Sequence, residues 1–317
     1  MSIHLGIIMD PIENIKIAKD SSFAMLLAAQ ARGWYLWYME LGDLFLQDGR
    51  AYGTLRSLHV TDNNEKWFEL GPIEQTPLDR LTVILMRKDP PFDFEYLVAT
   101  YLLEQAEQDG VWVINKPKSL RDANEKLYTA WFPQCCAPSL VTRRTRALRE
   151  FINEHHEIIL KPLDSMGGQS VFHLVRGEIN TSVILETMTQ HEQRFVMAQR
   201  FIPEIIEGDK RILLIDGEPI PYALARIPKT GEIRGNLAAG GRGVGVPLSE
   251  QDQWICSQLG PTLREKGLFF VGIDVIGSYL TEINVTSPTC IRELDQLYGL
   301  DIAGQFINLI EKKLLSH

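Results

Sequence analysis

The sequence predicts an α/β protein with an N-terminal Rossmann-like parallel-sheet unit, a small α+β unit and a C-terminal antiparallel unit. Strand-length apolar runs alternate with helical segments through the first third of the 317 residues, which is typical of a parallel sheet with helices on both faces. The pattern changes at Pro117–Arg121, and from about Arg194 the chain is rich in strands again. We therefore divide the chain into residues 1–121, 122–202 and 203–317, a number of domains that suits its length.

Apolar runs and stop signals define the elements of the first unit. Asp20 can cap a helix that Gly33 ends, and no G-x-G-x-x-G follows the first strand, so the sequence does not support a dinucleotide cofactor. Because ligands of such sheets bind at the carboxyl ends of the strands, residues 9–11 and 87–89 lie on the predicted binding edge. The predicted elements are strand Ile3–Met9, helix Phe23–Ala31, strand Tyr35–Leu41, strand Leu81–Met86, helix Asp93–Gln108 and strand Val111–Ile114.

The other two units are predicted in the same way. In the central unit we expect helix Asp122–Trp131, a short strand, the basic helix Thr145–His155, strand Glu157–Lys161 and strand Ser170–Val175. In the third unit a turn at Asp216-Gly217 separates two strands. Its predicted elements are strands Lys210–Asp216 and Glu218–Arg226, helix Glu250–Lys266, hairpin Phe269–Val285 and helix Ile302–Leu315, and the strand Phe195–Ile202 before it ends the central unit.

Composition excludes several classes of partner. The net charge of −9, from 32 basic and 41 acidic residues, would repel a nucleic-acid backbone. No apolar run approaches the roughly 20 residues of a membrane span, and the N-terminus has no signal-peptide pattern. The four cysteines have no metal-ligand spacing, so we expect free thiols in a reducing cytoplasm, with Cys290 a buried thiol rather than a nucleophile.

Three polar residues near the C-terminus form the most specific pattern. Glu282 and Asn284 are two residues apart on a predicted strand, so their side chains share a face. If the turn holds an odd number of residues, such as 277–279, Asp274 lies opposite Glu282 on that face. Two carboxylates and an amide oxygen are ligands suited to Mg²⁺. A half-buried hairpin would explain the alternation but not two adjacent acids, so we favour a metal site.

Two lysines and a glycine-containing loop suggest phosphate binding. Lys161 ends an apolar strand and precedes the loop 162–168, whose backbone N–H groups could cradle phosphate oxygens. Lys126 lies on the predicted helix 122–131, where a solvated lysine is the ordinary expectation. Because the loop lacks the P-loop sequence G-x-x-x-x-G-K-[ST], a surface turn is the better interpretation of this loop taken alone.

The segment 227–246 is predicted to be a lid. It holds six glycines together with Arg234 and Arg242, and it is far longer than the ~4–6 residues of most connections. A closing lid would keep water from a reactive intermediate, and the arginines could clamp a carboxylate or phosphate. Without the other features, a flexible loop is an equally good interpretation.

Seven segments spread along the chain carry a family resemblance. They are Met9–Pro11, Lys19–Met25, Met86–Phe92, Asn115–Pro117, Arg226–Pro228, Arg234–Gly243 and Thr281–Glu293. Together they resemble the ATP-grasp superfamily and, more closely, the bacterial glutathione synthetases. The likeness runs almost from end to end, and the glycine-rich lid and the last motif are its most specific parts. One departure is Ser165, where the family's small loop usually has a glycine after Pro-Leu-Asp.

The resemblance implies an ATP-grasp fold and a set of ATP contacts. Lys126 and Lys161 would hold the phosphates, and the strand Met197–Ile202 would contact adenine, mostly through its backbone. The ATP-binding residues implied by the resemblance are Lys126, Lys161, Ser165, Gly167, Gly168, Gln199, Arg200, Phe201, Ile202 and Asp209.

The resemblance also implies an acceptor site and a metal site. Arg211, Arg226 and Asn284 would bind the acceptor, with Asp209 beside them, and the lid arginines Arg234 and Arg242 would be catalytic. The metal, Mg²⁺ with Mn²⁺ as an alternative, would be held by Asp274, Glu282 and Asn284. The implied reaction joins γ-glutamylcysteine and glycine, with ATP, into glutathione, ADP and phosphate. The family further implies a cytoplasmic homo-oligomer, a tetramer.

Two other interpretations stay open at this stage. One is a different ATP-grasp ligase, of the D-alanine–D-alanine or glutamate-adding kind, which loss of the arginine-rich lid would favour. The other is a non-catalytic nucleotide-binding module, which degraded metal ligands would indicate. The sequence has both the lid arginines and the three candidate ligands.

Overall fold

A computed structural model describes residues 2–235, 237 and 240–316 of the chain. Its strands form three sheets that follow one another along the sequence. The first sheet holds β1 (His4–Ile8), β2 (Tyr35–Met39), β3 (Leu44–Gln47), β4 (Arg50–Val60), β5 (Phe68–Pro77), β6 (Val83–Met86) and β7 (Trp112–Ile114). We keep the three-domain division of the chain as a proposal.

The first sheet is mixed, so the prediction of a parallel sheet is only partly right. The four strands β2-β1-β6-β7 are parallel neighbours, as expected. In the sequence, β3, β4 and β5 lie between β2 and β6. In the sheet they form an antiparallel extension beyond β2, which was not predicted. Along β4, the buried residues Ala51, Gly53 and Leu55 alternate with more exposed ones. This alternation was the signal from which the strand could have been predicted.

Two helices cover opposite faces of this sheet. Helix α1 (Ser21–Ala31) begins where the Asp20 side chain accepts a hydrogen bond from the Phe23 amide, as predicted. Helix α2 (Phe94–Gln108) begins in the same way at Asp93. Side chains of α1 pack with Leu5 and Ile7, whereas those of α2 pack with Ile8 and Met86, because successive residues of a strand point to opposite faces.

The central sheet has the order β10-β9-β11-β8 and is antiparallel. Its elements are β8 (Ser139–Thr142), α4 (Thr145–His155), β9 (Glu157–Pro162), β10 (Phe172–Val175), α5 (Thr181–Met188) and β11 (Val196–Arg200). Helix α5 was not predicted.

The predicted helix Asp122–Trp131 is wrong. Helix α3 (Pro117–Asp122) ends where that helix should begin, and only a 3₁₀ turn, Leu127–Trp131, follows. The side chain of Asn124 accepts hydrogen bonds from the amides of Lys126 and Leu127, at 3.3 and 3.0 Å. These side-chain bonds replace the backbone bonds that an α-helix would make.

The third sheet has the order β14-β13-β12-β15-β16 and is antiparallel. Its strands are β12 (Asp209–Ile215), β13 (Glu218–Ile227), β14 (Arg242–Pro247), β15 (Phe270–Ile276) and β16 (Tyr279–Asn284), and its helices are α6 (Glu250–Glu265), α7 (Ile291–Tyr298) and α8 (Ile302–Ser316). The turn predicted at Asp216-Gly217 is present, with positive φ at both residues.

Two buried side chains tie the first unit to the last hairpin. The Asn115 amide group donates to the carbonyl oxygens of Phe270 and Val285 and accepts from the Phe270 amide. Arg87, on the predicted binding edge, donates to the carbonyl oxygen of Pro288 at 2.8 Å. These contacts fix the end of the hairpin against the carboxyl edge of the first sheet. Among the described residues, no helix combines the length and apolar content needed to cross a membrane.

Candidate active site

The third sheet brings the predicted metal ligands onto one face. Arg211 on β12, Asp274 on β15 and Glu282 on β16 are direct cross-strand neighbours, and Asn284 lies one rung further, opposite Gly272. The predicted pairing of Asp274 with Glu282 is therefore confirmed, but its predicted cause is wrong. The turn between the strands has two residues, and a β-bulge at Thr281 restores the parity that an odd turn would have given.

Buried ion pairs surround Asp274. Arg211 binds its carboxylate through two nitrogens, with Nε–Oδ1 at 2.5 Å and Nη2–Oδ2 at 3.0 Å, and Arg226 Nη2 lies 2.9 Å from Oδ2. Burial alone would raise the pKa of Asp274, but the two guanidinium groups lower it below its usual range. Gly272 makes room for this arrangement, because a Cβ there would lie 2.9 Å from Cδ of Arg211.

Asp209 lies beside this cluster on β12. Its Oδ2 pairs with Arg226 at 2.5 Å, whereas its Oδ1 is buried and has no hydrogen-bond partner among the described residues. Burial raises the pKa of Asp209, although Arg226 opposes the shift. A buried carboxylate oxygen without a partner indicates a place where a polar ligand can bind.

All ten residues predicted to bind ATP line one cleft, of about 810 Å³ including the space open to solvent. The cleft lies between the central and third sheets, and Asp274, Glu282 and Arg234 also line it. The strand segment 199–202 forms one wall together with Ile159, Ile205 and Ile276, so this part of the cleft is apolar enough for a base. The sequence thus predicted which residues come together; their individual roles stay a prediction.

The two predicted lysines lie in different parts of the chain, and both contact β16. Lys126 Nζ lies 2.9 Å from Glu282 Oε1 and donates to the carbonyl oxygen of Ser165, and Lys161 Nζ donates to that of Thr281 at 3.1 Å. Both lysines are buried. Burial lowers the pKa of Lys161, a shift that Glu282 opposes and Lys126 reinforces. Two buried lysines facing a cleft are suited to the anionic part of a nucleotide.

The small loop tolerates its unusual serine. Gly167 and Gly168 have φ of +64° and +78°, a region that favours glycine, whereas Ser165 is not among the residues with positive φ. The departure from the family pattern at Ser165 therefore requires no strained backbone.

A second cleft, of about 800 Å³, meets the first at Gly167 and Glu282. It contains all three residues predicted to bind the acceptor, Arg211, Arg226 and Asn284. It is further lined by Asp89, Pro90, Glu125, Met166, Leu237, Thr286, Ser287, Thr289 and Cys290. Arg211 and Arg226, which the resemblance assigned to the acceptor site, therefore line the same cleft.

The donor set fits a hard divalent cation. Glu282 and Asn284 share the second cleft, Asp274 and Glu282 share the first, and all three carry side-chain oxygen atoms, of which those of Asp274 are paired with Arg211 and Arg226. The amide nitrogen of Asn284 is buried and has no hydrogen-bond partner in the described part of the chain. Within residues 2–235, 237 and 240–316, no three His, Cys, Asp or Glu side chains cluster as a metal site, so the amide of Asn284 is needed. Convergence of all three oxygens on one point stays a prediction.

The predicted lid is shorter than expected, and its two arginines lie in different places, only one of them at a cleft. Because β13 includes Ile227 and β14 begins at Arg242, the connection covers residues 228–241 rather than 227–246. Arg234 lines the first cleft and pairs with Glu232 at 2.6 Å. Arg242 is exposed on the edge strand and lines neither cleft. Asn236, Ala238 and Ala239, which belong to the predicted lid motif, lie outside the described residues.

Sequence reasoning missed Glu125, which lines the second cleft beside Glu282. Burial and the Glu282 carboxylate raise its pKa. Its position directly before the predicted phosphate-binding Lys126 was the available signal, but the wrongly predicted helix placed it among ordinary solvated residues.

Comparisons with known proteins agree along the whole chain. The family model described as prokaryotic glutathione synthetase, N-terminal domain, matches residues 3–121, and the model for the ATP-grasp domain of the same enzymes matches residues 125–299. The glutathione synthetase of Pseudomonas putida is 60% identical over 99% of both chains. That of Escherichia coli (strain K12) is 57% identical over 98% of this chain and 99% of its own.

Solved structures share the fold at much lower identity. The D-cycloserine synthetase DcsG superposes with a TM-score of 0.68 at 13% identity, covering 98% of this chain and 99% of its own. The ATP-grasp ligase PsnB, in complex with minimal precursor, Mg and ADP, superposes with a TM-score of 0.63 at 15% identity and 98% coverage of both chains. The predicted ATP-grasp fold is thereby confirmed.

Proposed function

Because the chain belongs to the prokaryotic glutathione synthetase family, we propose that its two clefts hold ATP and γ-glutamylcysteine for a ligation with glycine that makes glutathione. The chain is an ATP-dependent ligase that uses a divalent metal. The observation that carries the proposal is the meeting of the two clefts at Gly167 and Glu282. A transferred phosphoryl group has to pass between the nucleotide and an acceptor carboxylate, and this junction is where the two would meet.

The residues at the junction would act by positioning and by charge. In the first step an oxygen of the acceptor carboxylate bonds to the γ-phosphorus of ATP while the bond from that phosphorus to the ADP oxygen breaks, so an acyl phosphate forms and ADP leaves. The carboxylate is already a nucleophile, so this step requires no general base. Lys126 and Lys161 would offset charge on the transferred phosphoryl group. A divalent cation held by Asp274, Glu282 and Asn284 would supply further charge neutralisation. The glycine amine then attacks the acyl phosphate: the C–N bond forms, the bond from the carbonyl carbon to the phosphate oxygen breaks, and phosphate leaves.

Three finer statements belong to the same proposal. The metal would be Mg²⁺, with Mn²⁺ as an alternative, because hard oxygen ligands suit both ions. The protein would be a homotetramer, as its family resemblance implies, and light scattering measures this directly. It would act in the cytoplasm, since its four cysteines, each in the described part of the chain, are free thiols.

The substrate assignment predicts a specific assay result. With γ-glutamylcysteine, ATP and Mg²⁺, we expect ADP release to depend on glycine and to match glutathione formation mole for mole, because the acyl phosphate is protected until an amine attacks it. A coupled ADP assay and chromatography of the thiol product measure the two. D-Alanine, supplied in place of both γ-glutamylcysteine and glycine, serves as the control substrate. ADP release with D-alanine but not with γ-glutamylcysteine would overturn the assignment.

The connection 228–241 would act as a lid over the junction. Ile233, Arg234 and Gly235 line the first cleft and Leu237 lines the second, so this one segment touches both. It also lies close to the buried ion pairs, because a Cβ on Gly235 would be 2.3 Å from the carbonyl oxygen of Arg226.

Removing this lid should uncouple hydrolysis from ligation. Ile227 and Arg242 are cross-strand partners, so an Asn-Gly turn in place of residues 228–241 can close the hairpin without altering β13 or β14. We expect Tm to change little and the ratio of ADP released to glutathione formed to rise above one, because water reaches the acyl phosphate. The ratio is measured in the same coupled assay. A folded variant whose ratio stays at one would refute the lid.

A further inference from the structure

Glu125 connects two parts of the site that belong to different elements. Its Oε1 accepts hydrogen bonds from the amides of Val285 and Thr286, at 2.9 and 3.0 Å, and from the Thr286 hydroxyl at 2.8 Å. Its backbone carbonyl oxygen accepts from the Ile283 amide at 2.8 Å. Glu125 therefore holds the stretch 283–286, which includes Asn284 and directly follows Glu282.

The neighbours of Glu125 extend this connection to the small loop. Lys126 contacts both Glu282 and the Ser165 carbonyl oxygen, and the Asn124 amide nitrogen donates to the carbonyl oxygen of Leu163 at 3.0 Å. Three consecutive residues thus bind the hairpin of the third sheet on one side and the loop 163–168 of the central sheet on the other.

We propose that Glu125 is a positioning residue that sets Glu282 and Asn284 against Lys126, so that the metal and the nucleotide phosphates are held in register. The inference rests on the proposed function, because it assigns the two ligands to a nucleotide-bound metal. The residues that directly follow Asn284, the last of the three predicted metal ligands, have no strand to pair with, because β16 ends at Asn284 and lies at the edge of the sheet. The carboxylate of Glu125 replaces that missing partner with three charge-assisted bonds.

The positions of its hydrogen bonds distinguish this role from that of a side chain that merely anchors a loop. Such an anchor would need only to bind the chain somewhere along the segment that follows β16. Here all three side-chain bonds go to the two residues directly after Asn284, while the backbone bond goes to the residue between the two ligands. Loss of the carboxylate should therefore loosen Asn284 on one side only and leave the Ile283 bond in place.

Amide hydrogen exchange of the metal-free protein tests the contact itself. In Glu125→Ala we expect the amides of Val285 and Thr286 to exchange about tenfold or more faster, because a hydrogen bond to a charged group is lost. The Ile283 amide should be unchanged, since its acceptor is a backbone oxygen. If all three amides exchange at the wild-type rate, Glu125 does not order this segment and the inference fails.

The dependence of turnover on Mg²⁺ tests the functional consequence. In Glu125→Ala we expect the half-saturating Mg²⁺ concentration to rise about ten- to a hundred-fold, as for other residues that orient metal ligands, while kcat at saturating Mg²⁺ stays within about threefold. Glu125→Gln should restore most of the wild-type Mg²⁺ dependence, because its amide oxygen can accept the same three bonds without the added strength that the charge gives them. If Gln is as damaging as Ala, the charge itself acts on a substrate and the positioning role is refuted.

Glu192 offers a matched control. Its Oε1 also accepts from a backbone amide and a hydroxyl, both of Thr145, but at the start of α4 and away from both clefts. Glu192→Ala should leave the Mg²⁺ dependence unchanged; an equal shift there would mean that general destabilisation explains the result. A wild-type protein that makes no glutathione would refute the proposed function, whereas the exchange experiment would still decide the contact.

Discussion

Replacing Arg226 by lysine is expected to lower kcat/KM for γ-glutamylcysteine by roughly ten- to a hundred-fold. Arg226 is buried, and its guanidinium group faces the second cleft while contacting both Asp209 and Asp274. Its Nε and Nη2 groups donate to Asp209 and Asp274, which leaves the two N–H groups of Nη1 to donate to an acceptor carboxylate, whereas an ammonium group is a single point charge. A lost charge-assisted hydrogen bond costs about 1.5–3 kcal/mol, which gives the expected range.

The structure adds a second expectation for this variant. Because Asp209 lines the nucleotide cleft, the KM for ATP should also rise, but less than the KM for the acceptor. Steady-state kinetics with each substrate varied in turn separate the two effects. Arg264→Lys is the matched control, since Arg264, on helix α6, forms an exposed ion pair with Glu218 at the start of β13. A defect confined to ATP would remove Arg226 from the acceptor site.

The elements that the sequence predicted well are those with local signals. Helix α1 has a capping aspartate at one end and Gly33 beyond the other, and both act within a few residues of the helix. The helix predicted at Asp122–Trp131 failed for a local reason, because the Asn124 side chain binds the next amides, and for a non-local one. There the Glu125 carbonyl accepts the amide of Ile283, which is 158 positions away, and nothing in the local pattern shows it.

The candidate site shows the same division. Side-chain alternation placed Glu282 and Asn284 on one face, because strand geometry alone determines it. The pairing of Asp274 with Glu282 depended on the bulge at Thr281, whose hydroxyl donates to the Asp274 carbonyl oxygen at 3.1 Å. A bulge of this kind is fixed by cross-strand contacts, so the sequence could only pose the pairing as conditional on the turn.

The ion pairs of the site were also beyond the sequence pattern. Arg211 and Arg226 were predicted only as acceptor ligands, yet both contact Asp274, a predicted metal ligand. The charges of the bound substrates determine which of these ion pairs with Asp274 persists in the substrate complex. Removing charge from Glu282, which pairs with a lysine instead, therefore tests the metal site more directly than removing it from Asp274.

Glu282→Gln is expected to lower ADP release about a hundred-fold or more at millimolar Mg²⁺. Glu282 lines both clefts and lies 2.9 Å from Lys126 Nζ, so the loss of its charge leaves two buried lysines facing the metal position with less compensation. Glutamine has nearly the same shape, so the fold should be kept, but Tm should fall because a buried lysine loses its partner.

The measurement is ADP release over a wide Mg²⁺ range, with Tm recorded for each protein. Part of the lost activity should return at high Mg²⁺, because a weakened site can still be filled by mass action. Glu218→Gln makes the same chemical change at an exposed position of β13 and should behave as wild type. If Glu282→Gln keeps more than about a tenth of the activity at low Mg²⁺, the carboxylate does not hold the metal on which the reaction depends.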